Sequence, residues 1–552
     1  MTAKTEKSYV VVEEAKQLNY LNNYVALPKE YGTPSYYGRE DVKEIRRVVF
    51  SALATLDEKI DLRKQINGRH VIIKPNLVAV YHNMGYKNAD MPQSTDPRVF
   101  EAVVDYISRY TNRITIAESS GGAMGTTSNF KTTGLDRIAK KYHTGLVAFE
   151  NLPIDRYMLP KAEVMKEVCI PRLLSEIVRG EAYYISVPKM KTNLYTGVTL
   201  GFKNAMGTLP VNMRYRNHSY QIEKKLVDLL YLFKPDLTVI DGIVGAEGLT
   251  PGPVDPVGSK MIVVSNNSVE ADRLTTEMMG FDSKENVLIK EAVSRGYGDP
   301  KTEIIGTPKY FKFRPADRSL LSERFQANFP NVKLLIGVTK NDTTHKITSV
   351  DEVTPELVRE MEGMCNGGCR PAIAQVFEMY LYSKKPIDKN FKLAIIYGSG
   401  IKIDGVTYYF DGNGKAYNKK DINELQMKKY AIGECAREME PFADLFTGGC
   451  CDIGAATLGL PGVTGIPLPA MSMDNKGMPG MMKSMLETYL IRRKMLNKGE
   501  YYDVPYDQKD FDKVFPVPTL SEAEMKQDFI EWPLPRMTEH VKKEKLKNLK
   551  LM

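Results

Sequence analysis

Two of the six cysteines in this 552-residue chain stand four apart on a glycine hinge, Met364-Cys365-Asn366-Gly367-Gly368-Cys369. Three more follow in two further glycine-flanked settings, Gly433-Glu434-Cys435 and Gly448-Gly449-Cys450-Cys451, while Cys169 sits apart in the apolar run Val168-Cys169-Ile170. Three loops thus supply at least four thiols, which is what a cubane iron–sulfur cluster or a cysteine-rich zinc site requires. Glycine beside a ligand lets backbone N–H groups approach sulfur and tune a cluster's potential. Zinc ribbons use paired C-x-x-C knuckles, and neither pair is present. The C-x-x-C-x-x-C-x-x-x-C run of a bacterial ferredoxin is absent. Arg370-Pro371-Ala372 after Cys369 leaves out the third cysteine of a radical S-adenosylmethionine motif. The expectation is an embedded iron–sulfur cluster, of the 4Fe-4S type, on Cys365, Cys369, Cys435 and Cys450 or Cys451. Zinc is the alternative, and the bland reading makes these thiols small buried apolar residues. Cys169 reads as core. The methionines from Met471 to Met485 read as packing rather than as a soft-metal path.

A second set of reactive residues follows the ends of expected strands. Lys74 and Asn76 follow one, Glu118 to Gly122 another, Lys189 and Lys191 a third, and Asp241 a fourth. Lys203 and Asn204 lie in Gly201-Phe202-Lys203-Asn204-Ala205-Met206-Gly207, with Arg214, Arg216 and His218 shortly after. Open α/β sheets bind ligands beyond the carboxyl ends of their strands, and lysine with arginine suits a phosphate or carboxylate. The expected anion-binding set is Lys74, Asn76, Lys189, Lys191, Lys203, Asn204 and Arg214. Glu118, Asp241 and His218 are the proton-transfer candidates. The competing reading pairs each lysine with a surface acid.

The elements that must position these residues follow from periodicity. Asp41 to Ile60 carries apolar residues at helical spacing, and Ser94-Thr95-Asp96-Pro97 is a capping signal opening a helix through Ile107. The apolar runs His70–Lys74, Arg113–Ala117, Gly145–Phe149, Ala182–Val187, Asp236–Ile240 and Lys260–Ser265 read as buried strands. Their alternation with helices is the pattern of an open, mostly parallel sheet with flanking helices, an α/β fold. Expected boundaries are an arm over 1–34, the α/β domain over 35–310, a connection over 311–350, a smaller α/β or α+β cysteine-bearing domain over 351–470, and an irregular tail over 471–552 ending in a charged helix.

Composition excludes several classes. Apolar residues make up 43% and charged residues 26%, an ordinary globular balance. The net charge of +8 is spread along the chain, without the basic stripe of a nucleic-acid binder. The amino-terminal residues lack a signal-peptide apolar core, and no run reaches a membrane span. The expectation is a cytoplasmic protein with no nucleic-acid or membrane partner. No Rossmann or P-loop glycine pattern, serine-hydrolase elbow or H-E-x-x-H motif occurs.

The series Lys74-Pro75-Asn76, Ser94-Thr95-Asp96-Pro97, Pro188-Lys189-Met190-Lys191-Thr192, Gly201 to Gly207, Arg214 to His218, Asp241-Gly242, Gly252-Pro253 and Ala271-Asp272 resembles the domain of unknown function 362 family over about residues 70–282. That resemblance implies a redox setting, since members often carry or neighbour 4Fe-4S domains, without naming a substrate. The cysteine loops are weakly similar to the small cluster-bearing subunits of hydrogenases and of NADH–quinone oxidoreductase. Together these readings give an iron–sulfur oxidoreductase or lyase acting on an anionic small molecule, with an electron donor such as a ferredoxin. The alternatives are a non-catalytic electron-transfer or ligand-binding scaffold and a zinc-stabilised enzyme.

Overall fold

Runs such as Val71-Ile72-Ile73 and Ala182-Tyr183-Tyr184-Ile185 are apolar at consecutive positions, so both strand faces must be covered, as in a parallel sheet clothed by helices. The computed structural model describes residues 7–18, 24–78, 80, 85–87, 91–121, 125–215, 221–338, 346–364, 369–449, 453–469, 477–505 and 507–549. The strands of the principal sheet that matter here are β1 (Tyr9–Glu14), β2 (His70–Pro75), β3 (Ile114–Glu118), β4 (Gly145–Ala148), β5 (Ala182–Val187), β6 (Lys189–Asn193), β7 (Leu237–Glu247), β8 (Met261–Ser265) and β9 (Glu303–Gly306). The sheet runs in the order β9-β1-β8-β7-β5-β2-β3-β4, with β6 pairing on β7. All these neighbours are parallel except β8, which is antiparallel to both β1 and β7.

One face of the sheet is covered by α1 (Glu40–Ile60) and α2 (Pro97–Ser108), which bury Ile45, Val49 and Val103 with Val71 and Ile73. Asp96 caps α2 by accepting from Arg98 N at 2.9 Å, with Pro97 in the first turn, so the capping signal has its expected form. On the other face, the core containing Ile72 and Tyr184 continues without a break into Phe377, Ile395 and Leu460 of the second half. The two halves therefore share one hydrophobic core.

The second sheet is built on four parallel strands, β10 (Val332–Ile336), β11 (Leu393–Tyr397), β13 (Lys428–Ile432) and β14 (Leu445–Thr447), with β12 (Val406–Phe410) antiparallel to β10. Helices α3 (Pro355–Met364), α4 (Cys369–Leu381) and α5 (Ile453–Thr464) accompany it, with α4 against α5 and α5 against β13 and β14. Helices α6 (Gly477–Asn497) and α7 (Glu539–Lys547) are among those that follow. Among the described residues no helix is long and apolar enough to cross a membrane.

Three expected boundaries move. Residues 1–34 are not all an arm, because β1 lies inside the principal sheet with Val10, Val11 and Val12 buried. Its valine run needs cover on both faces, and the slot between β8 and β9 supplies it. Residues 311–350 are not merely a connection, since β10 is a central strand of the second sheet. The tail is not irregular throughout. It holds the 21-residue α6, whose Pro479 falls in the first turn, where a missing N–H is tolerated. Met482 on α6 is exposed rather than packed, while Met471 and Met473 lie outside the described residues. The segment Ile530–Trp532 adds to a small sheet with Ile154–Met158 and Glu167–Pro171.

The second half is held by an aromatic cluster. Phe377 of α4 is fully buried, with its ring centroid 4.7 Å from Phe329, 5.1 Å from Phe325 and 6.0 Å from Phe391. Phe377→Ala is expected to lower stability by about 3–5 kcal/mol through lost burial and the cavity left behind. The shift of the urea-unfolding midpoint measures it.

Candidate functional site

The site begins where β2 stops. Pro75 ends the strand, and the loop leaving it carries Asn76. Its N–H donates to Thr95 Oγ1 at 2.9 Å, and Thr95 Oγ1 donates to Val187 O at 2.7 Å. The cap segment before α2 thereby joins the ends of β2 and β5. Lys74, the last polar side chain of β2, is buried and pairs with Glu118 Oε1 at 2.6 Å, and it donates to Asn204 Oδ1 at 2.9 Å. Glu118, at the end of β3, also accepts from Ser119 N at 2.8 Å and Leu77 N at 3.1 Å.

After β5 the chain takes one residue, Pro188, and resumes as β6. That places Lys189 beside Asp241 in parallel register. The two form an ion pair of 2.8 Å with both side chains at 0% exposure. Asp241 also accepts from Asp96 N at 2.8 Å and Ile243 N at 3.2 Å. Expected at a strand end, Asp241 lies within β7, which continues to Glu247 because Ile243, Val244 and Ala246 are buried. Its oxygens are taken by Lys189 and two backbone N–H groups, so the structure gives it an architectural task.

Two residues along β6, Lys191 donates to Asn76 Oδ1 and to Gln93 O, both at 2.6 Å. Asn76 Nδ2 in turn donates to Asn204 Oδ1 at 3.0 Å. Lys203 and Asn204 ride on a 3-10 turn, Phe202–Thr208. The turn is fixed at its start by buried Asp272, which accepts from Gly201 N at 2.6 Å and Phe202 N at 3.3 Å. It is fixed further along by Asn204 Nδ2, which donates to Ser186 Oγ at 3.1 Å. At Gly207 the backbone passes so close that a Cβ would come within 2.5 Å of Glu118 Oε1 and 2.8 Å of Lys74 Nζ. Only glycine leaves this approach open. Arg214 closes the side of the site by donating to Ser119 O at 2.7 Å and Ser120 O at 3.1 Å.

Lys74, Lys189, Lys191 and Lys203 therefore form one buried cationic cluster containing two carboxylates, Glu118 and Asp241. Burial, then the ammonium groups of Lys203, Lys189 and Lys74, push Lys191 well below the ordinary lysine range. Burial alone lowers Lys203 to about 8. For Lys74 burial lowers the value and the Glu118 carboxylate opposes it. An anion bound among these lysines would relieve like-charge repulsion as well as gain hydrogen bonds.

The second half of the chain leans over the site. The loop after β2 is clamped to the end of α4, with Lys87 N donating to Tyr382 O at 2.8 Å and Lys384 N to Gly85 O at 2.7 Å. The loop after β7 packs on α4 as well, since a Cβ at Gly252 would lie 3.0 Å from Gln375 Cγ. Gln375 stands six residues from Cys369, about 9 Å along the helix at 1.5 Å per residue. Arg318 donates to Leu194 O just past β6 at 3.3 Å and feels the charge of Arg370, the neighbour of Cys369.

Cys369 is the first residue of α4 and is half-buried. Its Sγ lies against Gly433, where a Cβ would overlap it, and Gly433 has φ of 90°. Glu434 N donates to Gly449 O at 2.9 Å, and Gly433 N to Thr447 O at 2.7 Å. The loops after β13 and β14, which carry Cys435 and lead into Cys450, thus meet the start of α4 beyond the carboxyl ends of parallel strands. Cys365, Cys450 and Cys451 lie outside the described residues, as do His218, Arg216 and Gly122. Among the described residues no group of three or more histidine, cysteine, aspartate or glutamate side chains is placed to hold a metal. Cys169 is buried at 0% exposure, as a core thiol.

Sequence reasoning left Gln93, Thr95, Ser186 and Asp272 without a role in the site. Asp96 had a legible helix cap, but its second task, donating its N–H to Asp241, had no local signal. Asp272 is buried by contact with Gly201, 71 positions away, a distance at which no local spacing speaks. Asp241→Asn removes the carboxylate paired with buried Lys189 and is expected to destabilise the protein by about 3–5 kcal/mol. Chemical denaturation measures it. Replacing both partners with apolar residues should recover part of the loss, since no buried charge is then left unpaired.

Comparison with known proteins gives one curated relative, a thylakoid-associated protein of Synechocystis sp., 28% identical over 104 residues. That match covers 18% of this chain and 32% of the relative, so it spans about a third of the relative's length. Residues 71–277, which supply Lys74, Glu118, Lys189, Lys191, Lys203, Asp241 and Asp272, match the model of the family described as Domain of unknown function (DUF362).

Proposed function

We propose that this protein is an iron–sulfur enzyme of redox or Lewis-acid type that binds a small anionic molecule in the lysine cluster. The observation that carries the reading is the burial of Lys74, Lys189, Lys191 and Lys203 around two carboxylates, Glu118 and Asp241. Uncompensated buried positive charge is costly unless a partner arrives, and a phosphate or carboxylate is the partner that matches it. In this reading Lys191 and Lys203 hold the anion, Asn76 and Asn204 orient the ammonium groups, and Glu118 exchanges protons with Lys74.

Support for the cluster comes from the corner at Cys369. Gly433 leaves room for the sulfur, and loops leading to Cys435 and Cys450 meet there. Arg370 beside it and the amino-terminal end of α4 favour negative charge on a thiolate. Cys369, Cys435, Cys365 and Cys450 or Cys451 would hold the group. Bound, it would supply an electron or a Lewis-acidic iron, with a ferredoxin-like protein as electron donor. Protein purified without air is expected to contain about four iron and four acid-labile sulfide per chain. Cys369→Ser and Cys435→Ser should each lose most of this. Zinc in place of iron, or no metal after reconstitution, would sink the cluster.

The anion site has its own test. Lys203 titrates near 8 in the free protein. A bound anion stabilises the ammonium form and raises that value, so binding takes up protons at pH above about 8 and weakens as pH rises. Calorimetric titration with sulfate in buffers of different ionisation enthalpy should show proton uptake. Lys191→Met should lower sulfate affinity by roughly ten- to a hundredfold, the worth of a charged hydrogen bond of about 1.5–3 kcal/mol. Unchanged affinity in that variant would remove the pocket.

A further inference from the structure

Lys203 differs from the other lysines of the cluster. Lys74 is paired with Glu118, Lys189 with Asp241, and Lys191 donates to Asn76 and to the Gln93 carbonyl. Among the described residues Lys203 has neither a carboxylate at ion-pair distance nor a hydrogen-bond acceptor, and burial lowers its pKa to about 8. Its side chain is not sealed away, for the residue keeps 9% exposure where Lys191 keeps 1%. The turn bearing it is held by Asp272 and Asn204, so the amine is presented from a fixed backbone.

A buried amine without an acceptor loses its hydration and gains nothing in exchange, which favours the uncharged form. An uncharged amine is a nucleophile toward a carbonyl carbon. Desolvation beside other cations is a general means of activating lysine for this step. Lys191, its ammonium form restored by the incoming negative charge, would meanwhile hold a carboxylate on the same small molecule. On this reading the cluster sets an anion clamp beside an amine that has no partner among the described residues.

We infer that Lys203 forms an imine with a small oxo acid, a carbonyl compound that also carries a carboxylate. The inference rests on the reading of the lysine cluster as an anion pocket. The Lys203 nitrogen lone pair attacks the carbonyl carbon while the C=O π pair moves onto oxygen. The oxygen collects the two amine protons and departs as water as the C=N bond forms, so no oxidant or reductant is consumed. Lys74 and Glu118, joined to the Lys203 turn through Asn204, are the neighbouring pair able to pass those protons.

The test is trapping. The full-length protein, purified without air, is incubated separately with glyoxylate, pyruvate and 2-oxoglutarate, reduced with borohydride and mapped by peptide mass spectrometry. The expected result is an adduct on Lys203 with at least one of these acids, about tenfold or more above any surface lysine. A pKa near 8 against about 10.4 gives that amine the larger uncharged fraction at neutral pH. Excess sulfate should suppress the adduct, and its yield should rise with pH through about 8, opposite to sulfate affinity. Lys203→Arg and Lys203→Met should both lose it while keeping the wild-type thermal unfolding profile. Adducts spread evenly over surface lysines, or none on Lys203 with any of the three acids, would overturn the inference. Sulfate binding measured on the same sample separates the two readings. Binding without an adduct removes the imine and leaves the pocket, whereas no binding removes the pocket on which it rests.

Discussion

The burial of several lysine side chains in one cluster is the constraint that the rest of this structure serves. Like charges in a low-dielectric interior repel strongly, and each is costly to desolvate. The fold tolerates them by distributing neutralisation unevenly. Lys74 and Lys189 receive carboxylates, Lys191 receives neutral oxygens, and Lys203 receives nothing among the described residues. Each assignment requires a particular piece of backbone. Asp241 must lie beside Lys189 in parallel register, Glu118 must end the strand next to β2, and Gly207 must pass without a side chain.

The second half of the chain packs on the loops beside the same site. Clamped to the loops after β2 and β7, helix α4 begins at Cys369 and packs Gln375 against the loop containing Gly252. The lysine cluster and the cysteine corner are therefore two ends of one packed region with a common hydrophobic core. Arg318 and Arg370 lie close enough in this region to feel each other's charge. On the proposed reading, an anionic ligand near one end and a negatively charged metal–thiolate group near the other would both benefit from nearby positive charge.

Much of the architecture was legible because it is written in local pattern. The apolar runs at Val71–Ile73, Ile114–Ala117 and Ala182–Val187 required parallel strands, and Asp96-Pro97 required a helix start. The lysines were recognisable through their recurrence after such runs. Less legible was anything set by contact between distant segments. The valines of Tyr9–Glu14 carry no signal of the slot between β8 and β9 that they fill. Asp241 read as a strand end because Gly242 follows it, yet packing against β6 and β8 carries the strand onward.

What the sequence alone determined is the inventory: an α/β sheet with lysines, asparagines and carboxylates at its strand ends, and thiols gathered on glycine-flanked turns. Periodicity and spacing are local properties, and residue type sets what chemistry is available. The tertiary structure decided the division of labour within that inventory. It made Asp241 a buried counter-ion, gave Asp272 the Lys203 turn to hold, and left Lys203 an amine with no partner among the described residues. Those outcomes depend on which side chains meet across tens to hundreds of positions, and on how dry the meeting place is. No single segment of the chain encodes either.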